Sequence, residues 1–119
     1  MQETKGFKQL GVWQKAYNLT LDIYKLTKRF PKEETYGLVS QLQRAAASVP
    51  ANIAEGYDRN HRREYIQFLH IAKGSLAEVE TYLLLALDLG YIDKELYDDI
   101  ENKREEAGRM LSGLIKSLT

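Results

Sequence analysis

The sequence predicts an all-α protein, a single domain over residues 1–119 that folds as an antiparallel up-down-up-down four-helix bundle. Apolar residues recur at helical spacing in four long segments, which is the pattern of amphipathic helices. Glycine, proline and acidic residues fall between these segments, where helices end and begin. The breaks are short, and short connections place consecutive helices side by side in opposite directions.

The first predicted helix covers residues 10–29 and has a wide apolar face. Its apolar side chains span about 220° of the helix surface in projection, about twice the width that a helix on the outside of a bundle needs. The Phe30-Pro31 pair is expected to end this helix, because the residue before a proline is pushed out of the α region.

The second predicted helix covers residues 35–55, with Thr35 as the candidate N-cap after two glutamates that suit a helix N-terminus. Pro50 lies inside this segment, where a proline either kinks a helix or divides it. The apolar stripe keeps its phase across Pro50, so we expect one kinked helix. Gly56 is expected to stop it.

The third and fourth predicted helices cover residues 61–89 and 93–118. The third is apolar on every side over residues 82–87 and is expected to end at Gly90. The fourth has Asp93 as its N-cap and an ordinary apolar stripe about 140° wide.

The excess apolar area on the first and third helices predicts a homo-oligomer, since such area must be buried against something. A tightly wrapped monomer is the alternative, because exposed apolar atoms occur on any protein. One polar face of the second helix, flanked by small alanines, is expected either to line a subunit interface or pore or to face solvent. The candidate interface or pore residues are Trp13, Tyr17, Gln41, Arg44, Ser48, Asn52, Glu55, Leu84 and Leu85.

The composition argues against several kinds of site. The chain has no cysteine, so disulfides and thiolate metal sites are excluded. His61 and His70 share no obvious acidic metal partner, and no phosphate-binding loop is present, so we expect no metal, no cofactor and no catalytic residue. No signal peptide and no apolar run long enough to span a bilayer are evident, which points to a cytoplasmic protein without a membrane partner.

The charge is balanced overall but uneven along the chain. The 17 cationic and 17 anionic side chains argue against coating nucleic acid by bulk electrostatics. Residues 1–60 nevertheless carry nine Lys and Arg residues against six Asp and Glu residues, a balance of +3. Local basic surfaces are candidates for RNA or DNA contact, with an ordinary solvated surface as the alternative. The candidate residues are Lys15, Lys25, Lys28, Arg29, Arg59, Arg62 and Arg63.

An enzymatic function has one pattern in its favour. Arg63 and His70 lie within about 20° of each other on a helical projection, and some all-α ribonucleases place an arginine and a histidine close together on one helix. An imidazole can act as a general base toward a ribose hydroxyl. Such pairs arise readily by chance, so we expect no enzyme.

Several motifs resemble one protein family. The most specific is the block from Ser48 to Gly56, and further matches run from Val12 to Tyr17, from Phe30 to Glu34 and from Ala72 to Leu76. Over about residues 7–92 the chain resembles bacterial four-helix-bundle proteins encoded in intervening sequences of 23S ribosomal RNA genes. The accessory protein of diversity-generating retroelements, which works with a reverse transcriptase and RNA, is a relative of that family.

The resemblance implies a bundle that assembles into a homopentameric, barrel-like ring without known catalytic activity. Nucleic-acid binding is the usual suggestion for such proteins. We therefore expect a non-enzymatic oligomer that binds RNA, DNA or a nucleic-acid enzyme, or that acts as a scaffold. A purely protein-binding or structural oligomer is the alternative, and the neutral net charge favours it.

Overall fold

The computed structural model describes residues 6–119, so residues 1–5 of the predicted domain lie outside the described part. The α-helices are α1 (Gly11–Thr27), α2 (Leu38–Tyr57), α3 (Arg62–Asp88) and α4 (Lys94–Leu118). Short 3-10 helices cover Gly6–Gln9 and Lys32–Glu34. Residues 6–119 contain no strand, so the prediction of an all-α protein with four long helices is confirmed.

All four helices contribute to one hydrophobic core, and they do so through the stripes that the sequence periodicity predicts. The largest fully buried side chains are Leu19, Ile23, Leu42, Val49, Ile53, Leu69, Val79, Leu83 and Leu111. Burying one leucine, isoleucine or valine contributes about 1.5–3 kcal/mol. Because the helices share this core, none of them buries its apolar face alone.

Each helix packs against two others in a cycle: α1 on α2, α2 on α3, α3 on α4 and α4 on α1. Side-chain contacts across the α1–α2 contact join Thr20 to Ala46 and Gln43 to Thr27. As residue numbers rise along α1, the residues of α2 that contact it therefore have falling numbers. The same order holds between α1 and α4, where Lys15 pairs with Glu106 and Lys103 pairs with Asp22.

Helix α2 runs without interruption from Leu38 through Pro50 to Tyr57, which confirms the prediction of one helix across the proline. Gly56 does not stop it. This glycine is buried, and a Cβ atom placed on it would lie 2.8 Å from the Cβ of Phe68 and 3.0 Å from Cδ1 of Tyr65. Gly56 is thus required by the close approach of α2 and α3.

The predicted N-cap at Thr35 is wrong. The Thr35 hydroxyl donates to the carbonyl of Lys32 at 2.7 Å, within the 3-10 turn that follows Pro31. Helix α2 begins three residues later, and the Glu34 carboxylate accepts the backbone N–H of Leu38 at 3.1 Å. Glu34 therefore caps the start of α2 in place of the predicted Thr35. The Asp93 cap is confirmed, since its carboxylate accepts the N–H of Leu96 at 2.9 Å.

Candidate functional site

The wide apolar face of α1 leaves a row of large side chains on the outside of the bundle. Tyr17, Leu21 and Tyr24 are 44%, 45% and 44% exposed, while Leu19 and Ile23 between them are buried. They follow one another at the three- and four-residue spacing that keeps side chains on one face. The helix therefore has an inner apolar face in the core and an outer one in solvent.

A groove between α1 and α2, here called the α1–α2 groove, continues this outer face. One wall is aromatic: the rings of Trp13 and Tyr17 stack with centroids 4.9 Å apart and planes 15° from parallel. The floor is made by small residues of α2, and the groove has a volume of about 340 Å³. These floor residues are Ala47, Pro50, Ala51 and Ala54. Phe7 also lines the groove, with its ring centre 5.3 Å from that of Trp13, so the groove presents apolar surface and three aromatic rings.

The polar face predicted on α2 lies along the contact with α3 and is engaged mostly within the protein. The Ser75 hydroxyl donates to Ser48 Oγ at 2.9 Å, and the Asn52 amide donates to the same oxygen at 2.9 Å. Tyr82 approaches Gln41 at 3.5 Å. Arg44 differs from these residues, because it is exposed and forms no ion pair with another residue in the range 6–119.

Exposed leucines occur on the outer side of α3. Leu84 and Leu85, both predicted at an interface, are exposed, and so is Leu89 just after the helix. Leu89 lies within about 20° of Tyr82 in projection, and Tyr82 faces α2 at Gln41. Leu89 therefore lies at the edge of α3 nearest to the start of α2.

The turn before α2 presents the most exposed aromatic side chain of the described residues. Tyr36 is 97% exposed. The backbone around it is held by Glu34, which accepts a hydrogen bond from Tyr91 Oη at 2.7 Å and one from the Leu38 N–H at 3.1 Å. The hydrogen bond from Tyr91, followed by that from Leu38, lowers the pKa of the Glu34 carboxyl. The sequence reasoning missed Tyr36, although a tyrosine inside a polar turn is a detectable signal.

The predicted basic residues on and just after α1 have three different surroundings. Lys15 forms an ion pair with Glu106 at 3.1 Å. Lys25 and Arg29 line a shallow depression between α1 and α4, which they share with Asp22, Asp99 and Lys103. Lys28 is exposed. Acidic neighbours thus offset much of the predicted positive charge on this side.

The arginines predicted around the turn between α2 and α3 are also separated by the structure, because Arg59 lies in the turn whereas Arg62 and Arg63 begin α3. Arg59 pairs with Glu55 at 2.9 Å and with Glu64 at 3.7 Å, and its guanidinium lies 5.0 Å from the centre of the Phe68 ring. Arg62 and Arg63 instead line an open depression beside the C-terminus of α4. Arg59 is therefore used to join α2 to α3, while its two neighbours face solvent.

Neither member of the proposed Arg63 and His70 pair is oriented by a neighbour. Both are exposed, and neither takes part in a side-chain hydrogen bond with another of the described residues. Among residues 6–119 no group of three His, Cys, Asp or Glu side chains could hold a metal ion. No helix in that range is long and apolar enough to cross a membrane.

The sequence model of the 23S rRNA-intervening sequence protein family matches residues 8–113. The chain belongs to this family. It is also similar to a protein of unknown function from the S23 ribosomal protein family of Bacteroides thetaiotaomicron, for which a crystal structure is known. The two share 30% sequence identity with a TM-score of 0.82, over 88% of this chain and 98% of the other. No curated protein matches the chain.

The most specific motif of the 23S rRNA-intervening sequence protein family lies where α2 packs against its neighbouring helices. The block from Ser48 to Gly56 forms the second half of α2, where it supplies the hydrogen bond to Ser75, the floor of the α1–α2 groove and the close approach at Gly56. The resemblance is thus carried by residues that set the packing of α2 against both of its neighbours.

A basic surface between α3 and α4 was missed by the sequence reasoning except at Arg62 and Arg63. We define the α3–α4 basic face as Arg62, Arg63, Lys73, Arg109 and Lys116, which are all exposed. Lys73 and Arg109 line one open groove of about 470 Å³. The signal is present in the spacing: Arg62 and Lys73, and likewise Arg109 and Lys116, lie within about 20° in projection.

Proposed function

We propose that the protein is a non-enzymatic homo-oligomeric scaffold, in which antiparallel up-down-up-down bundles assemble as a pentameric ring. Two sets of contacts support the antiparallel arrangement, since numbers rise on α1 as they fall on both α2 and α4. The family resemblance supports the five-fold ring.

The observation that carries the proposal is the continuous apolar surface formed by the outer face of α1 and the α1–α2 groove. Tyr17 belongs to both parts, so the surface is not broken at the helix edge. An aromatic side chain buries about 150–250 Å² when it is covered. Tyr17, Leu21 and Tyr24 are already a little over half buried in the subunit, so covering what remains exposed supplies part of the ~800 Å² per partner of a stable interface.

A ring needs two different surfaces on each subunit, because a contact that closes a ring joins one patch to another patch. The α1–α2 groove is one such surface. The exposed leucines of α3, Leu84 and Leu85, lie on a different helix and offer a second one. The arrangement therefore favours a ring over a dimer formed by one self-complementary patch.

Light scattering and native mass spectrometry at micromolar concentration test the proposal. We expect five times the subunit mass of 13.7 kDa. Leu21→Glu places a charge on the outer face of α1 and is expected to lower the mass without unfolding the chain. Ile71→Glu is the control, since Ile71 is an equally exposed apolar residue of α3. A monomeric wild type at this concentration refutes the proposal.

RNA binding is a second candidate function, and the α3–α4 basic face favours it. None of its five cations forms an ion pair with another residue of the range 6–119. Two nearby glutamates are occupied by other arginines: Glu80, which lines the same groove as Lys73 and Arg109, lies 3.4 Å from Arg104, and Glu64 lies 3.7 Å from Arg59. The face is thus positive although the whole chain is neutral, and arginine and lysine side chains there are free to contact phosphates.

A titration of labelled structured RNA over a salt series tests this second function. Each phosphate contact contributes about 0.7–0.9 to the slope of log affinity against log salt. The double variant Lys73→Gln, Arg109→Gln is expected to make the slope shallower by about 1–2. Lys94→Gln is the matched control, since Lys94 is held by Asp98 at the other end of α4. Absence of binding at low salt refutes RNA binding.

A further inference from the structure

Tyr36 is an aromatic side chain that its own subunit does not cover. It is 97% exposed, whereas every other large apolar or aromatic side chain of residues 6–119 is at least partly packed. An aromatic ring left in water forgoes the burial of about 150–250 Å² of surface. The whole ring of Tyr36 is therefore available for contact with another molecule.

The turn that carries Tyr36 is rigid, although the ring itself is uncovered. The N–H of Gly37 donates to the carbonyl of Glu34 at 3.0 Å, and the Glu34 carboxylate binds Leu38 and Tyr91. Gly37 permits this closeness, because a Cβ atom there would lie 2.8 Å from Glu34 Oε1. A side chain on a fixed backbone loses less freedom on binding, which favours its use as an anchor.

The α1–α2 groove has the chemistry to accept such a ring. Its wall is aromatic, with Phe7 beside the stacked pair Trp13 and Tyr17, and its floor consists of alanines and Pro50. Its volume of about 340 Å³ accommodates one aromatic side chain. Offset or edge-to-face contact with Trp13 adds to the burial of the ring.

The Tyr36 ring cannot reach the groove of its own subunit. From the start of α2 at Leu38 to Ala51 on the groove floor the distance is about 20 Å at the rise of an α-helix. That is several times the length of a tyrosine side chain. A ring from this turn can therefore fill only the groove of another molecule.

The charges beside the two surfaces are complementary. Glu33 is exposed next to Tyr36 and forms no ion pair with any of the described residues. Arg44 is exposed at the edge of the polar face of α2, within about 20° in projection of Ala51 on the groove floor. It too lacks an ion pair with a residue in the range 6–119. Insertion of Tyr36 brings the carboxylate of Glu33 toward this guanidinium.

Exposed leucines lie at the same end of the bundle as Tyr36. Leu85 and Leu89 are exposed near the start of α2, beyond the contact of Tyr82 with Gln41. The predicted interface residue Leu85 therefore lies toward the tyrosine along the bundle.

We infer that Tyr36 of one subunit inserts into the α1–α2 groove of the next. This inference rests on the self-assembly proposed above. Glu33 of the first subunit then lies beside Arg44 of the second. Every subunit offers its tyrosine to one neighbour and its groove to the other. A contact of this kind joins two different patches, so it generates a ring when the rotation closes.

Two single substitutions at exposed positions test the insertion. Tyr36→Ser removes the inserted ring, and Ala51→Arg fills the groove. Each is expected to reduce the assembly to monomers, while the circular dichroism spectrum and melting temperature of the subunit are retained. The matched controls are Ile71→Ser, an exposed apolar residue of α3, and Ala77→Arg, an exposed alanine of the same helix. Both controls are expected to keep the wild-type mass.

Mixing the two monomeric variants gives the sharper test. The Tyr36→Ser subunit keeps a normal groove, and the Ala51→Arg subunit keeps its tyrosine. An equimolar mixture is therefore expected to form a heterodimer of twice the subunit mass, joined by one intact contact. A mixture that stays monomeric contradicts the pairing of these two surfaces.

Charge exchange tests the orientation of the contact. Glu33→Arg alone is expected to weaken assembly at least tenfold in dissociation constant, and Glu33→Arg with Arg44→Glu is expected to restore it. Failure of the second substitution to restore assembly overturns the placement of Glu33 beside Arg44.

Two further outcomes separate the inference from the proposal on which it rests. An oligomeric wild type whose mass is unchanged by Tyr36→Ser overturns the insertion and leaves self-assembly intact. A monomeric wild type overturns self-assembly itself. A foreign peptide that co-purifies in the groove in place of the tyrosine also contradicts the insertion.

Discussion

The hydroxyl of Thr20 on α1 lies 3.0 Å from the backbone carbonyl oxygen of Ala46 on α2. This carbonyl is the one that Pro50 leaves without a helical partner, because proline has no N–H to donate four residues back. The same hydroxyl lies 2.9 Å from the carbonyl of Ala16 in its own helix, so its proton serves two acceptors. A side chain of one helix thus compensates for a proline in the next, and α2 continues through Pro50.

Thr20→Val is expected to destabilise the fold by about 1–3 kcal/mol, because it leaves a buried carbonyl without a donor while preserving side-chain size. Urea unfolding monitored by circular dichroism measures the change. Thr81→Val is the matched control: its hydroxyl donates only to the carbonyl of Ala77 in its own exposed helix face. The control is expected to change stability by less than about 0.5 kcal/mol. Equal losses in both variants contradict the role assigned to Thr20.

Two glycine-to-alanine substitutions are expected to have opposite signs. Gly56→Ala introduces a Cβ atom 2.8 Å from the Cβ of Phe68, and the resulting overpacking is expected to destabilise by about 1–3 kcal/mol. Gly113 on α4 has open space around it, so Gly113→Ala is expected to stabilise by about 0.5–1 kcal/mol through helix propensity. Melting temperatures of the two variants test this, and stabilisation by both disproves the close approach at Gly56.

The hydrogen bonds to Glu34 predict a pH-dependent contribution to stability. The hydrogen bonds from Tyr91 and Leu38 lower the pKa of this carboxyl, so the folded state stabilises its ionised form more than the unfolded chain does. The contribution is present above the ordinary pKa of glutamate and disappears as the pH falls through the lowered value. Glu34→Gln should therefore melt at a lower temperature than wild type at pH 7.

The difference between wild type and Glu34→Gln should narrow as the pH falls below the ordinary range of a glutamate. Melting curves measured between pH 7 and pH 2.5 check this. Glu78→Gln is the control, since Glu78 is an exposed carboxyl of α3 that accepts no hydrogen bond from another described residue. A difference for Glu34→Gln that stays constant with pH contradicts the assignment.

The sequence predicts the helices better than their contacts, and Pro50 shows why. The phase of the apolar stripe is a local property, so continuity of α2 across the proline is predictable. The compensating hydroxyl of Thr20 lies 26 residues from Ala46 in sequence, where periodicity carries no information. The same holds for Gly56, which looks like a helix stop until the packing of Phe68 and Tyr65 against it is known.

The candidate surfaces likewise have features that the sequence predicts and features that it does not. The width of the apolar face of α1 predicts exposed residues such as Leu21, because a helix has a fixed angular period. Arg59, Arg62 and Arg63 are equivalent in the sequence, yet Arg59 is held by Glu55 and lies over Phe68. The residues that surround each arginine in the folded protein decide whether it forms an ion pair.

Arg59 and Arg62 are therefore expected to respond differently to the same substitution. Arg59→Gln removes a half-exposed ion pair and a cation–π contact, which together are worth about 1 kcal/mol, and should lower stability with little effect on RNA affinity. Arg62→Gln removes a cation of the α3–α4 basic face and should leave stability within about 0.5 kcal/mol while weakening RNA binding. Urea unfolding and RNA titration at low salt measure the two effects. Both residues are exposed arginines close together in sequence, so each serves as the control for the other. Loss of RNA affinity in Arg59→Gln alone would place the nucleic-acid contact on the α2 side of the turn.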